Sequence, residues 1–562
     1  IRKGRQAIPR ISNNTAEKIV FRGEGVFNMS QYLKVGTIEI RNNSSLEISS
    51  KTDVSSIICL DSSKLLTSND FYLTNINDLI FEENSTLQIK NNQKLKKSIQ
   101  IGNLIIDNSI ILTLNNHEDT LRISGDFSGY GILNGNPVIE YNGKSRQFIK
   151  KRNYSKLIYN NSSINSSTFY GNNSIENLEI KKGKLKVGDL KVYKCQIDSL
   201  GQLIIGGNAP VFIDTTQISG SLIINSNEAH PKFNFLAIRS NGIFNNNSSS
   251  DIIISNGVSN DGLFSGCLGT ACDYIFLNDS VFFSGKDTVF IPRIEAKKVY
   301  NKGIVFVRKK INVDSLFNLP KGILVLATDT QNTSGIMDFT ARGNKLVFNK
   351  KGNQKTPISL SHVHHLVFQN SGNKSISSHL SIDGDLEIKE HAFLKTDSFQ
   401  ITGKSSGLIS IDSLSSLSLG HNYSAKPIGF PLNFSRIFCH DSSLVIYGSQ
   451  ENQTIDSKPH YGNLTIDDGA IDSCKKNISG DSLIVKGNLI LSESSVTLAV
   501  KNKTVDLDGN WNGPGNISLT TGTFHIGGDG NSDGKINEGK SEFVYDGSGP
   551  QKIKIGNYYN LT

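Results

Sequence analysis

Six cysteines in 562 residues are too few for a disulfide framework. Cys59, Cys195, Cys439 and Cys474 stand alone in the sequence and are expected as small core residues. Cys267 and Cys272, in CLGTAC, are spaced to close a short loop in an oxidising compartment, and no zinc pattern follows from the six. Tryptophan occurs once. Apolar residues make up only 37% of the chain, which is low for a compact enzyme. No apolar run is long enough for a membrane-spanning helix, and no window of helical length has a 3.6-residue apolar period. Neither sign of charge dominates: 59 Lys and Arg face 51 Asp and Glu, a net +8. The densest basic run, KKGKLKVGDLKVYK from Lys181, alternates lysine with apolar residues and reads as the wet face of strands; the competing reading is a patch for nucleic acid or an acidic glycan, but alternation alone accounts for the run and no nucleic-acid partner is expected. The chain starts at Ile1 without an initiator methionine or signal peptide and stops inside a repeated phrase, so a segment of a longer polypeptide is expected.

What is present is repetition. FVYDGSGPQKIKIGNYYNLT at the C-terminus has relatives beginning at Ile139, Val347 and Val445. In each, an aromatic residue (Tyr141, Phe348, Tyr447, Tyr545) is followed six positions later by glutamine (Gln147, Gln354, Gln453, Gln551) and then by a Leu-centred strand. The last three aromatics lie 99 and 98 residues apart, and Tyr141 lies 207 before Phe348, about two periods. IVFRGEGVFNMSQYLKV, around Phe21, reads as a degraded first copy with Phe27 in the glutamine position.

Between these phrases the chain reads as strand. TIEI, NLIIDNSIILTL, NLEIKKGKLKV and SLIVKGNLIL alternate apolar and polar residues. Gly-Asn or Gly-Asp precedes such a strand at Gly102, Gly188, Gly384, Gly462 and Gly487. Glycine accepts positive φ, and Asn or Asp bonds the local backbone, so the pair reads as a corner. Repeated corners predict an all-β, elongated β-solenoid resembling a parallel β-helix, with about 22 residues per coil and ~4.8 Å between coils. The alternative is a string of β-sandwiches, one per superrepeat. Three regions are expected: β-repeats over 1–205, a divergent or inserted phenylalanine-rich module over 206–345, and superrepeats of about 100 residues over 346–562.

The succession YGNLTI, SLIVKGNLILSESSVTLAV, VDLDGNWNGPGNISLTTGTFHI, FVYDGSGPQKIKI, NYYNLT resembles the repeat arrays of giant cell-surface proteins of Bacteroidetes, including gliding-motility adhesins exported by type IX secretion. The match is clearest over 461–562 and extends to about 347–466 and 102–205. The resemblance implies an extracellular filament at the cell surface that holds or pulls on external surfaces, and it implies no catalytic residues. Its partners would be an external surface or polysaccharide, other copies of itself, or surface motility and secretion proteins.

Few residues are left to report a chemistry. In GGDGNSDGKINEGKSEF, Asp529, Asn531, Asp533 and Gly534 fit the opening of a calcium loop, in which alternate oxygens face a hard cation. The twelfth position is Lys540, so Glu538 or Glu542 would have to supply the last ligand; the competing reading is a polar hairpin. His362 and His364, in SHVHHL, are spaced to share a strand face and bind zinc, but His365 stands where Asn463 and Asn560 precede the repeat leucine. Asp467 with Asp468, and Asp506 with Asp508, are the acid pairs of a possible glycan-cleaving site; each adjoins a corner glycine, where turn chemistry accounts for it. Trp511 is expected in the core, in the place that Phe127 takes upstream. The functional expectation is therefore structural and adhesive, against a β-helical polysaccharide-active enzyme and a self-polymerising filament subunit.

Overall fold

The computed structural model describes residues 15–114, 118–169, 171–207, 209–265, 274–276, 279–328, 330–333, 335–420, 427–467 and 474–562. Cys267, Cys272 and Asp468 lie outside them, and of Glu538 only the backbone is described. The chain divides into two compact units, Ile1–Leu277 and Asn278–Thr562. Each is a β-solenoid built from short parallel strands, with about 26 turns in the two together. The one helical element among the described residues is a 3-10 turn, Leu73–Asn75. No helix there is long and apolar enough to cross a membrane, which says nothing of strands.

The alternation read from the sequence sets the inside and outside of every coil. Strands such as Thr86–Ile89, Asn463–Ile466 and Thr504–Leu507 bury their second and fourth residues and turn the others outward. A residue then stacks on its counterpart one coil away: Leu417, Val445, Leu464, Leu489 and Trp511 form one such column. Parallel stacking leaves each backbone N–H and C=O to pair with the coils on either side, and it excludes the antiparallel sandwich. In the second unit the coil from Leu489 to Asn510 has three sides, Leu489–Leu491, Val496–Val500 and Thr504–Leu507. In the first unit two long strands, Asn173–Val187 and Leu190–Ile205, each turn a corner without breaking their pairing, through a register shift between Ile180 and Lys182.

The phenylalanine-rich stretch of the first unit continues this ladder. Phe212 pairs with Val192 before it and Phe233 after it. Its rings take over the leucine positions: Phe212 and Phe233 stack at 4.8 Å, and Phe244 and Phe264 at 4.9 Å, close to the coil spacing. Cys59, Cys195 and Cys474 lie in the core and Cys439 is half-buried. Trp511 is fully buried beside Phe524 and Phe543, and Phe127 is fully buried in the matching place.

The corner glycines act for a different reason from the one their sequence suggests. None of Gly102, Gly188, Gly384, Gly462 and Gly487 has positive φ. A Cβ at Gly102 would overlap the carbonyl oxygens of Glu82 and Ser85, and one at Gly462 would overlap that of His440. The preceding coil leaves room for a hydrogen and nothing larger. Positive φ falls instead to residues such as Asn42 (φ 54°) and Asn502 (φ 53°) in tight turns.

Candidate functional site

The four copies of the aromatic-to-glutamine phrase share one geometry, and it joins coils. Gln147 Nε2 donates to the carbonyls of Ile123 (2.8 Å) and Gly125 (2.5 Å) in the coil before, while its Oε1 accepts the Gly143 N–H at 3.0 Å. Gln354 treats Leu326, Thr328 and the Lys350 N–H in the same way, at 2.8, 3.0 and 3.0 Å. Gln551 does so with Ile526, Gly528 and the Gly547 N–H, at 2.8, 2.7 and 3.0 Å. Gln453 holds Leu419 (3.3 Å), Ile428 and the Ser449 N–H (3.3 Å). One planar amide supplies two donors and an acceptor, a set that glutamate cannot offer.

A pair of tyrosines completes three of the copies, a signal that sequence reasoning missed although the spacing carries it. Tyr141 Oη accepts the Lys150 N–H (3.2 Å) and Tyr154 donates to the Lys150 carbonyl (2.6 Å). Tyr447 and Tyr461 bracket Asp456 at 3.1 and 2.5 Å, with their hydroxyls 2.8 Å apart. Tyr545 accepts the Lys554 N–H at 2.8 Å, and Tyr558 donates to its carbonyl. The copy that begins with Phe348 lacks both hydroxyls, so the two are lost together. Burial pushes the Tyr141 phenol up to about 12, which keeps it a neutral donor and acceptor.

The coil after three of the glutamines adds its own contact. Ser167 Oγ accepts the Gln147 N–H (3.0 Å) and the Tyr159 hydroxyl (2.9 Å). Over Gln354 and Gln453 stand lysines instead, Lys374 and Lys476, both with no exposed surface. Lys476 Nζ donates to the carbonyls of Ser449 (2.5 Å) and Glu451 (3.1 Å) and to Gln453 Oε1 (3.2 Å). Lys374 Nζ donates to the carbonyls of Lys350 and, at 3.0 Å, Gly352. Burial, with Lys350 nearby, lowers the Lys374 pKa to about 8.

The corner Asn and Asp side chains form a second axial tie. Asn463 Oδ1 accepts the Asn488 N–H (2.9 Å), Asn488 the Asn510 N–H (3.0 Å), Asn510 the Asp529 N–H (2.6 Å) and Asp529 the Lys552 N–H (2.8 Å). Asn103 and Asp126 repeat the pattern in the first unit. Expected to bond their own turn, these side chains bond the next coil.

That employment includes one of the calcium-loop residues. Asp529 is a rung of the ladder, Asn531 and Asp533 are exposed, and Ser532 between them is buried, with Oγ on the Gly513 carbonyl at 2.5 Å. Among the described residues no group of three or more His, Cys, Asp or Glu is arranged to hold a metal ion. His365 is likewise a rung, its Nδ1 accepting the Asp385 N–H at 3.0 Å. The His364 ring lies 4.3 Å from that of His365, while His362 turns to Asp383. Burial lowers the pKa of both His364 and His365. Asp508 pairs with Lys486 at 2.9 Å and Asp506 stacks on His525 in the next coil.

Charged side chains follow the same axis. Asp383 Oδ1 receives His362 Nε2 (3.0 Å) from one coil and Lys404 Nζ (2.7 Å) from another. Burial opposes ionisation of Asp383 and Glu387, but hydrogen bonds from Lys404 and His362, and from Lys389 and Lys345, outweigh it and hold both below their usual values. The shared capability of these groups is cohesion between coils. No family model, curated protein or solved structure matches the chain.

Proposed function

We propose that the chain is a structural and adhesive segment of a large extracellular cell-surface repeat protein or filament, one that extends reach, bears tension and presents polar faces to an external surface. The observation that carries this reading is the repeated glutamine clasp: the most regular chemistry in the sequence is spent, at four places, on tying a coil to the one before. In a stack where stability accumulates between neighbours, side-chain ties of this kind add resistance to peeling without depending on one closed core. The outward positions outside these ties are available for contact with a surface, and gliding on such a surface is one use of a tensioned tether.

Immunogold electron microscopy of intact source cells, with an antibody against the chain, tests the placement. Label along fibres projecting from the cell is expected, and label confined to the culture fluid would overturn it. Beads coated with the full chain test adhesion: they should hold to glass under flow that removes albumin-coated beads, and equal release of the two would sink the adhesive half of the reading.

A further inference from the structure

The positive charge of the chain is concentrated. Residues 144–194 carry twelve Lys and Arg against three Asp and Glu, a balance of +9, whereas the whole chain is +8. Those residues belong to three successive turns of the first unit, and the repeat register sorts their side chains. Phe148 pairs with Thr168, and Thr168 with Lys186. Arg146 and Lys184 stand two residues before Phe148 and Lys186, and each is exposed beside a buried neighbour, Gln147 and Leu185, which puts both on the outer side. Lys151 follows at the corner, its stem beside Gly171.

One outward face thus holds Arg146 and Lys184 two coils apart, which is about 9.5 Å along the axis. Lys186 and Lys151 flank them, and Phe148 stands beside Arg146 on the same coil, in line with Thr168 and Lys186. Arg146, Lys151 and Lys184 are exposed, and none of the four cations has an ion pair among the described residues. Phe148 is 59% exposed, a large apolar surface for a ring to leave in water. Its N–H is anchored by Asp126 Oδ1 at 2.5 Å, which fixes the backbone beneath the ring. Asp126, Arg146, Phe148, Lys151 and Thr168 line a cavity of about 430 Å³.

We infer that this face binds a linear acidic polysaccharide laid along the solenoid axis. A pyranose chain advances by roughly one coil per sugar. Carboxylates or sulfates on alternate sugars then fall opposite Arg146 and Lys184, and the sugar at the Arg146 coil lays its apolar face on Phe148 beside it. Duplex DNA has a phosphate every ~3.4 Å along each strand, out of step with coils ~4.8 Å apart. This inference rests on the adhesive reading and names the class of surface polymer it engages.

The test is calorimetric titration of the full chain with polygalacturonate in 0.15 M salt, with neutral dextran and duplex DNA as comparators. Polygalacturonate should bind and dextran should not. The double variant Arg146→Ala/Lys184→Ala should weaken binding by about tenfold or more. Phe148→Ala should weaken it without altering the salt dependence, because it removes no charge. Lys458→Ala, which deletes an exposed charge in the second unit, should change nothing. All four side chains are at the surface, so unchanged thermal melting will show that the variants fold. Failure to bind polygalacturonate, binding indifferent to these variants, or DNA binding as tight through the same residues would each overturn the inference. If coated beads still hold to glass in that case, the adhesive reading survives it.

Discussion

The glutamine clasp of the first unit and those of the second solve one problem with different chemistry. Around Gln147 the next coil contributes the neutral Ser167 hydroxyl, itself tied to Tyr159. Around Gln354 and Gln453 it contributes a buried ammonium that donates to backbone carbonyls. A hydroxyl offers one donor and a lysine three, so the lysine reaches carbonyls that the serine leaves to others. The fixed part of the motif is the amide that faces backward; the group that answers it from the following coil is free to vary.

The sharpest way to break this comparison is Lys476→Met, which keeps the stem and removes the ammonium. It takes the ammonium donor from the carbonyls of Ser449 and Glu451 and one of two donors from Gln453 Oε1, and should cost the second unit about 3 kcal/mol in urea unfolding. Gln147→Ala and Gln354→Ala should cost about 2 kcal/mol each, alike in the two units, because each strips two carbonyls of the same donor. Ser167→Ala should cost about 1 kcal/mol, the value of an ordinary hydrogen bond. If Lys476→Met and Ser167→Ala prove equal, the ammonium adds nothing that the hydroxyl does not.

Acid separates the units next. His364 and His365 have folded pKa values below the usual 6.5, so the unfolded chain binds more protons once the pH drops under that value. Their contribution is full above pH 6.5 and is lost as the pH falls towards the folded values. Hydrogen-exchange protection, corrected for the intrinsic rate at each pH, should therefore fall in the coils around 362–388 between pH 7 and pH 5, while Asp383 and Glu387, held low, keep their ion pairs until more acid conditions. The smallest effect is expected at Asp529. Asp529→Asn preserves the Oδ1 rung and should leave melting unchanged, whereas Asp529→Ala should lower stability by about 1 kcal/mol. Calcium titration should show no heat with either variant or the parent chain.

Much of the fold was legible because a solenoid repeats its instructions. Alternation in strands such as Thr504–Leu507 gave inside and outside, and corners at short intervals predicted coils over sandwiches. The glycine corners were located correctly for an incorrect reason, since crowding by the neighbouring coil is a tertiary fact that no dihedral preference contains. Gln147 and its relatives were visible as a pattern, yet their partners lie in a preceding coil at variable distance, 23 to 25 residues for Gln551. The cation face stayed hidden for a similar reason: lysines at 184 and 186 read as a strand's wet side until the register sets them on the same face as Arg146 and Phe148.

The side-chain rungs also have a direction. Asn463, Asn488 and Asn510 each hold an acceptor out to a coil that comes later in the chain, and each glutamine donates to a coil that came earlier. A finished coil is thus a template, with acceptors already in position for the N–H groups of the coil that follows. Such a chain can take its shape in the order in which it is threaded out of a ribosome or a pore, each turn laid on the last.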